Sequence, residues 1–265
     1  MGSIFRDRLL KDRAAFVTGG TSGIGRRMAE RFAEHGAKVF LVGRDPQKLA
    51  DAAGHIRTAG GIAETESLDV RDYVLVEAAL RGAHQKFGWI DVLLCAAAGN
   101  FPAPVTGISA NGFKAVVDID LLGTFNACRA AYPYLRKPGA VILNISANHA
   151  AMPLAYQSHV CAAKAGVELL TKTLALEWGP AGVRANCITP GPTSDTEGMR
   201  RLAPTEEKRR SIERRIPLQR FGTKDELADL ALFLTSEAAS YITGAVYACD
   251  GGQSLTRMEL EVQQP

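Results

Sequence analysis

No apolar run in the chain approaches the roughly 18 residues needed to span a bilayer, because charges interrupt every long stretch. No membrane partner is therefore expected. The opening MGSIFRDRLLKDR has no apolar core before a small-residue cleavage site, so no signal peptide is expected either. Cysteine is sparse and scattered: Cys95, Cys128, Cys161, Cys187 and Cys249 are an odd set with no two close in sequence. That pattern fits neither a disulfide framework nor a zinc site. It reads as small apolar core residues in a reducing compartment, with no metal. The total charge is small, with 31 Lys and Arg against 28 Asp and Glu, and a balance of +3 gives no reason to expect nucleic acid. Linkers, repeats and low-complexity stretches are absent. The 265 residues, 46% hydrophobic and 22% charged, exclude a disordered tail, a collagen-like chain and a coiled coil. They read as one domain over 1–265, with a polar and frayed end from Glu259 to Pro265.

What is present is an alternation of apolar runs and helical segments. Ala14–Thr18, Lys38–Val42, a run ending near Leu68, Ile90–Leu94, Ala140–Ile145, Val183–Ile188 and Ala245–Ala248 read as strands. Helices are expected over about 23–36, from Pro46, and over about 71–87, 111–135, 155–178 and 224–234. Between the last two helices the basic stretch reads as irregular. Strands alternating with helices of this length predict an α/β fold: one Rossmann-type doubly wound parallel sheet of about seven strands, with helices on both faces.

Thr18-Gly-Gly-Thr-Ser-Gly-Ile-Gly25 falls between the first strand and the first helix. The first βα turn of such a sheet binds a dinucleotide pyrophosphate, because glycines admit the phosphates and the helix N-terminus supplies free N–H groups. Arg44 stands 19 residues after Gly25, near the place where NAD sites carry an acid for the ribose. An arginine there accommodates a 2′-phosphate, so NADPH is expected over NADH; Asp45 beside it leaves NADH open.

With these residues in place, the chain resembles the short-chain dehydrogenases/reductases over nearly its whole length. The glycine pattern Thr18-Gly19-x-x-x-Gly23-x-Gly25 is theirs, and Thr21, Ser22 and Ile24 lie within it. Asp69-Val70 matches the family's adenine contact. Ala96-Ala97-Ala98-Gly99 sits where the family has Asn-Asn-Ala-Gly. Pro190-Gly191, with Thr193 following, matches the turn beside the nicotinamide, and Asp250-Gly251-Gly252 the C-terminal signature. The family works with Ser, Tyr and Lys, the Tyr four residues before the Lys. Lys164 fits, but Val160 holds the tyrosine position. Ala147 holds the serine position 17 residues before Lys164, with Ser146 one residue off, and Asp120 replaces the usual Asn. Ordinary ketone reduction needs the missing proton donor.

A narrower branch shares these departures. The segments 95–101, 113–120, 191–202 and 216–222 resemble the NADPH-dependent 2,4-dienoyl-CoA reductases of fatty-acid oxidation, especially the peroxisomal type, which also uses Asp and Lys without Tyr. The mitochondrial type has a tyrosine where His149 stands here. The resemblance implies hydride transfer from NADPH to the δ carbon of the diene, charge spreading to the thioester oxygen, and a 3-enoyl-CoA product. Lys164 would bind the nicotinamide ribose and lower the pKa of a nearby water or acid. Asp120 would orient Lys164 or the water, or else only pair with it structurally. His149 is either a proton donor or a loop histidine lining the pocket, and His159 is similar. His35, His55 and His84 read as surface helix positions.

Phe101 is expected to line the acyl channel. Residues 200–220 hold eight basic and three acidic side chains, a local +5 on a body of −2. Within an expected lid over 193–220, Arg200 and Arg201 are the candidates for the coenzyme A phosphates. Three other readings stand beside this one. They are a 2-enoyl-CoA or acyl-carrier reductase, a carbonyl reductase using His149 or water, and a catalytically silent nucleotide-binding protein. The end, Val262-Gln-Gln-Pro265, is not a Ser-Lys-Leu type of peroxisomal address, so a cytoplasmic enzyme is expected. The family's usual tetramer would pack through the two long helices, for which Ala130, Ala131, Val167 and Leu170 are suited.

Overall fold

The computed structural model describes residue 5 and residues 7–255. The expected end segment Glu259–Pro265 lies outside the described residues. Seven strands form one sheet: β1 Ala14–Thr18, β2 Lys38–Gly43, β3 Ile62–Ser67, β4 Val92–Cys95, β5 Val141–Ile145, β6 Arg184–Pro190 and β7 Val246–Cys249. Their order is β3-β2-β1-β4-β5-β6-β7, and every neighbouring pair is parallel. The expected doubly wound sheet is thus the observed one. The chain reverses its winding direction between β1 and β4, where Thr18 pairs with Cys95. A crevice opens at that point beyond the carboxyl ends of the strands.

Side chains alternate across each strand. Ala15 and Val17 of β1 therefore join Met28, Phe32, Leu227 and Leu232 on one face. Ala14 and Phe16 join Leu80, Leu93, Leu135 and Ile142 on the other. The first face is covered by α1 Gly23–Glu34, α2 Pro46–Thr58 and α9 Lys224–Thr235. The second is covered by α3 Tyr73–Phe87 and, further along, α5 Gly123–Ala131 and part of α6 Ser158–Trp178. Burying each such Leu or Phe stabilises by about 1.5–3 kcal/mol, which fixes the strand register.

Three elements differ from the sequence reading. The helix expected over 111–135 is a helical run broken in character. Helix α4 Ala110–Val117 passes into a π turn, Asp118–Leu122, before α5. Helix α6 starts at Ser158 rather than near 155, because Tyr156 takes a left-handed φ of 67° and Gln157 is not helical. The basic stretch is not irregular. It holds two short helices, α7 Glu197–Leu202 and α8 Glu206–Glu213, whose first turns are capped by Thr196 and Thr205 hydroxyls accepting from Met199 and Lys208 N–H groups. Neither helix buries a residue, so no apolar periodicity marks it in the sequence.

Two surface expectations are also corrected. His35 is buried, because the segment before β1 folds over it and the Leu10 N–H donates to its carbonyl at 2.9 Å. His84 lies half-buried between Trp89 and Tyr134, with ring centroids 4.7 and 5.5 Å away. Ala130, Ala131 and Val167 are buried within the chain itself, the two alanines in the core on the second face of the sheet. The exposed large apolar residues of these helical runs are instead Phe113, Leu122, Phe125, Leu169 and Leu176. No helix among the described residues is long and apolar enough to cross a membrane.

Candidate active site

The glycine turn closes β1 onto α1. Gly19 has a φ of +69°, and a Cβ there would lie 2.5 Å from the Ala96 carbonyl group and the Ala97 nitrogen. A Cβ on Gly25 would lie 2.6 Å from the Gly19 oxygen. These two glycines bring the turn against the loop after β4. Gly23, with φ +57°, faces open space instead. Ser22 is the N-cap of α1, yet its side chain makes no capping bond. The turn is closed at Gly19 and Gly25, open at Gly23, and the helix N–H groups lack a side-chain cap, which is the arrangement a phosphate completes. Thr21 and Ile24 flank the turn, half-buried. The residues present therefore fit a nicotinamide dinucleotide.

At the end of β2, Arg44 is exposed and has no ion-pair partner among the described residues. Asp45 is already engaged: its carboxylate accepts from the Gln47 and Lys48 N–H groups at 3.0 and 3.2 Å as the N-cap of α2. Asp69 is held by Arg71 at 2.6 and 3.0 Å, and that guanidinium keeps its carboxyl below the ordinary range. Val70 is buried against Gly123, where a Cβ would come within 2.6 Å of it. Across the crevice, Pro190 ends β6 and the Gly191 N–H donates to the Cys249 carbonyl at 3.0 Å. The buried Thr193 turns its hydroxyl back to the Gly191 carbonyl at 2.9 Å.

Asp120 sits in the π turn, 1% exposed, and Lys164 on α6 is nearly as buried. The Lys164 ammonium stands 3.1 Å from Asp120 Oδ2 and donates to the Ile145 carbonyl at 3.0 Å. Asp120 Oδ1 accepts from the Gly99 N–H at 2.7 Å. The 3.1 Å contact is not aligned as a hydrogen bond, so Oδ2 keeps an unused lone pair among the described residues. One carboxylate thus joins the cofactor-side loop of Ala97 and Gly99 to the only sequence-matched member of the Ser-Tyr-Lys set.

The remaining members have no substitute in place. Val160 is 4% exposed and offers no donor, and Ala147 none either. Ser146 spends its hydroxyl on Glu168 Oε1 at 2.7 Å. His149 lies half-buried in the 3₁₀ turn Asn148–Ala150, and burial pushes its imidazole below the ordinary value. Beside it, Asn148 donates to Asp250 and Gln253 at 3.2 and 2.9 Å, tying this turn to the Asp250-Gly251-Gly252 segment. The Asp250 carboxyl lies below its usual range: burial raises it, but hydrogen bonds from Ser254, Gly252 and Asn148 outweigh that. Neither Asn148 nor Glu168 carries a signal in the sequence, since both act through partners distant along the chain.

Phe101 follows β4 and is 38% exposed, its ring packed at a tilt against His159. Arg200 and Arg201 are exposed on α7. Arg201 is paired with Glu197 one turn earlier, whereas Arg200 has no ion-pair partner among the described residues. The cysteines are quiet: Cys95, Cys128 and Cys187 are buried, and burial pushes the Cys187 thiol up to about 12. A separate cleft of about 900 Å³ lies at the opposite, amino ends of the strands, among Arg13, Asp91, Arg136 and Arg184. Arg136 is bound to Asp91, and Arg184 to the Leu234 and Ile242 carbonyls. That cleft contains none of the residues described above.

The chain matches the family model described as Enoyl-(Acyl carrier protein) reductase over residues 9–254. It is 43% identical over 255 residues to the peroxisomal 2,4-dienoyl-CoA reductase, (3E)-enoyl-CoA-producing, of Danio rerio, covering 96% of this chain and 85% of that one. It is 41% identical over 249 residues to the probable 2,4-dienoyl-CoA reductase, (2E)-enoyl-CoA-producing, of Bacillus subtilis (strain 168), covering 93% and 98%. Among solved structures, it is similar to a gluconate 5-dehydrogenase from Burkholderia cenocepacia J2315 in complex with NADP and tartrate. That likeness has a TM-score of 0.89 and 30% identity, covering 95% and 99%.

Proposed function

Because this chain belongs to the short-chain dehydrogenase/reductase family, in the group described as enoyl-(acyl carrier protein) reductase, we propose that it reduces 2,4-dienoyl-CoA with NADPH to 3-enoyl-CoA, a step of fatty-acid oxidation. The observation that carries this reading is the buried Asp120–Lys164 pair in a site with no hydroxyl at 147 or 160. The relative from Danio rerio bears the name of that activity.

The glycines 19, 23 and 25, with Thr21, Ser22 and Ile24, would hold the pyrophosphate. Asp69 and Val70 would border the adenine, and Ala97, Gly99, Pro190, Gly191 and Thr193 the nicotinamide half. NADPH is favoured over NADH because Arg44 has no ion-pair partner among the described residues and Asp45 is committed to capping α2. When bound, the nicotinamide supplies a hydride to the δ carbon of the conjugated diene. Lys164 holds the nicotinamide ribose and carries the positive charge of the site. Asp120 fixes that ammonium with one oxygen and the Gly99 N–H with the other. Together they orient a water that delivers a proton to the α carbon of the thioester, which completes the 3-enoyl product. A tyrosine is dispensable here because the added charge is spread over the diene and thioester rather than confined to one alkoxide. His149 and Phe101 would line the acyl channel. Helices α7 and α8 would form the lid over 193–220, with Arg200 and Arg201 toward the coenzyme A phosphates.

We read the chain as one domain over 1–265 and as a homotetramer in the cytoplasm. Exposed Leu122, Phe125, Leu169 and Leu176 on the two long helical runs support assembly with further copies. A second reading, reduction of a 2-enoyl thioester, is favoured by the family description itself. One comparison separates them: oxidation of NADPH and NADH in the presence of 2,4-hexadienoyl-CoA, 2-hexenoyl-CoA and acetoacetyl-CoA. Turnover of the diene with NADPH is the expected result. Turnover of the 2-enoyl thioester alone supports the second reading, and turnover of none supports a silent nucleotide-binding protein.

A further inference from the structure

Histidine 159 is 0% exposed in the first turn of α6, one residue before the position where the family carries its tyrosine. Its Nε2 lies 2.8 Å from the Phe101 carbonyl oxygen. A carbonyl only accepts, so Nε2 carries a proton. Nδ1 is buried and has no hydrogen-bond partner among the described residues. Burying an unsatisfied polar atom is costly, and an apolar side chain of the same size would avoid it. The bond to Phe101 is what the histidine gives in return.

The same imidazole also lies against the Phe101 ring, tilted by 35° with centroids 4.6 Å apart. On another side, Phe101 Cζ would lie only 3.3 Å from a Cβ placed on Gly112 of α4. Two further bonds hold the loop after β4. The Gly99 N–H donates to Asp120, and the Ala103 N–H donates to the Tyr156 carbonyl at 3.0 Å. Tyr156 itself has a left-handed backbone just before α6. The loop is thus pinned at 99, 101 and 103, and each anchor comes from a helix or turn that also frames Lys164.

We propose that His159 is a positioning residue that clamps the Phe101 loop against α6, and so sets the wall along which the acyl chain lies. The proposal rests on the dienoyl-CoA reading for its substrate and on the geometry alone for the clamp. His159 touches neither reacting atoms nor cofactor in this account; it acts through Phe101. Loss of the bond should loosen the wall and weaken acyl binding, while Asp120 and Lys164 stay in place.

The test compares His159→Leu, which keeps bulk and removes the donor, with His159→Gln, which keeps a donor. Folding of both is checked by thermal unfolding. Amide hydrogen exchange of residues 99–109, with Ala103 as reporter, is read on the protein without substrate. In His159→Leu the exchange should rise at least fivefold. KM for 2,4-decadienoyl-CoA should rise about five- to tenfold, the range expected for one neutral hydrogen bond, with kcat and NADPH affinity within about twofold. His159→Gln should return exchange and KM to near the wild-type values. Unchanged exchange in His159→Leu overturns the clamp, and so does a joint loss of kcat, KM and NADPH affinity that glutamine does not rescue. A wild-type enzyme inactive on dienoyl-CoA overturns the reaction reading instead, with the exchange arm still deciding the clamp.

Discussion

Asp120 is a buried carboxylate divided between a lysine ammonium and a backbone N–H, so removing either side chain of the pair leaves an uncompensated charge. Asp120→Asn keeps the shape and one acceptor oxygen for the Gly99 N–H but not the charge. It and Lys164→Ala should each lower kcat about a hundredfold, within the range for loss of one preorganised electrostatic group, with NADPH affinity falling more for Lys164→Ala. Steady-state kinetics and nucleotide titration check this; near-normal kcat in both would remove them from the chemistry. His149 gives a second prediction. Burial lowers its pKa, which disfavours the cationic form that would give a proton at pH 7. His149→Asn should therefore change kcat less than about threefold and leave the shape of the rate profile between pH 6 and 8 unaltered. Lys164, Val160 and Ala147 were legible as positions, because their spacing along one chain is fixed by the family pattern. Asp120 was legible too, as an acid within reach of Lys164; its second partner, the Gly99 N–H, was not, because that contact is set by how the β4 loop meets the π turn.

Among the elements, the strands and α1 follow from composition. A five-residue apolar run ending in Thr-Gly-Gly must be a buried strand entering a tight turn, and β1 is fully buried. The π turn at Asp118–Leu122 is silent in sequence, since one extra residue per turn shifts a pattern already mixed in Asp-Ile-Asp-Leu-Leu. Helices α7 and α8 are silent for a different reason: they bury nothing, and their Thr caps are the only local signal. The structure also separates two arginines that looked equivalent. Arg200 has no ion-pair partner among the described residues, whereas Arg201 must release Glu197, an exposed pair of small worth. Arg200→Ala should weaken acyl-CoA binding about tenfold, Arg201→Ala less and Arg210→Ala not at all; calorimetry with a dienoyl-CoA and with its pantetheine analogue reads the difference. At the far side of this segment, Arg220 bonds Glu226 at the N-terminus of α9 and pulls its carboxyl down to about 2. A depressed folded value means the stabilisation is present above the ordinary carboxyl range and fades as pH falls toward 2. Glu226→Gln should unfold at a lower temperature than wild type at pH 7, and the gap should close between pH 4 and 2.

For the molecule as a whole, function follows from where the sheet changes direction. Winding outward from β1 to β3 and from β4 to β7 leaves one crevice, and the glycine turn, the Asp120–Lys164 pair and the Pro190-Gly191 turn all fall on its rim. That convergence was readable from the order of strands and helices, whereas the role of each apolar helix face was not. Helical periodicity shows that a face is apolar but not what covers it, so Ala130 turned out to face this chain's own core. A site without the family's tyrosine and serine must still place one hydride and one proton on the substrate. Where they go is read by NMR from the product of 2,4-hexadienoyl-CoA reduced with 4-deuterated NADPH in ordinary water and with NADPH in deuterium oxide. The expected product is a 3-hexenoyl-CoA carrying the cofactor's deuterium on the δ carbon and the solvent's deuterium on the α carbon. A 2-hexenoyl-CoA with solvent deuterium on the γ carbon, or no reduction of the diene, would contradict it.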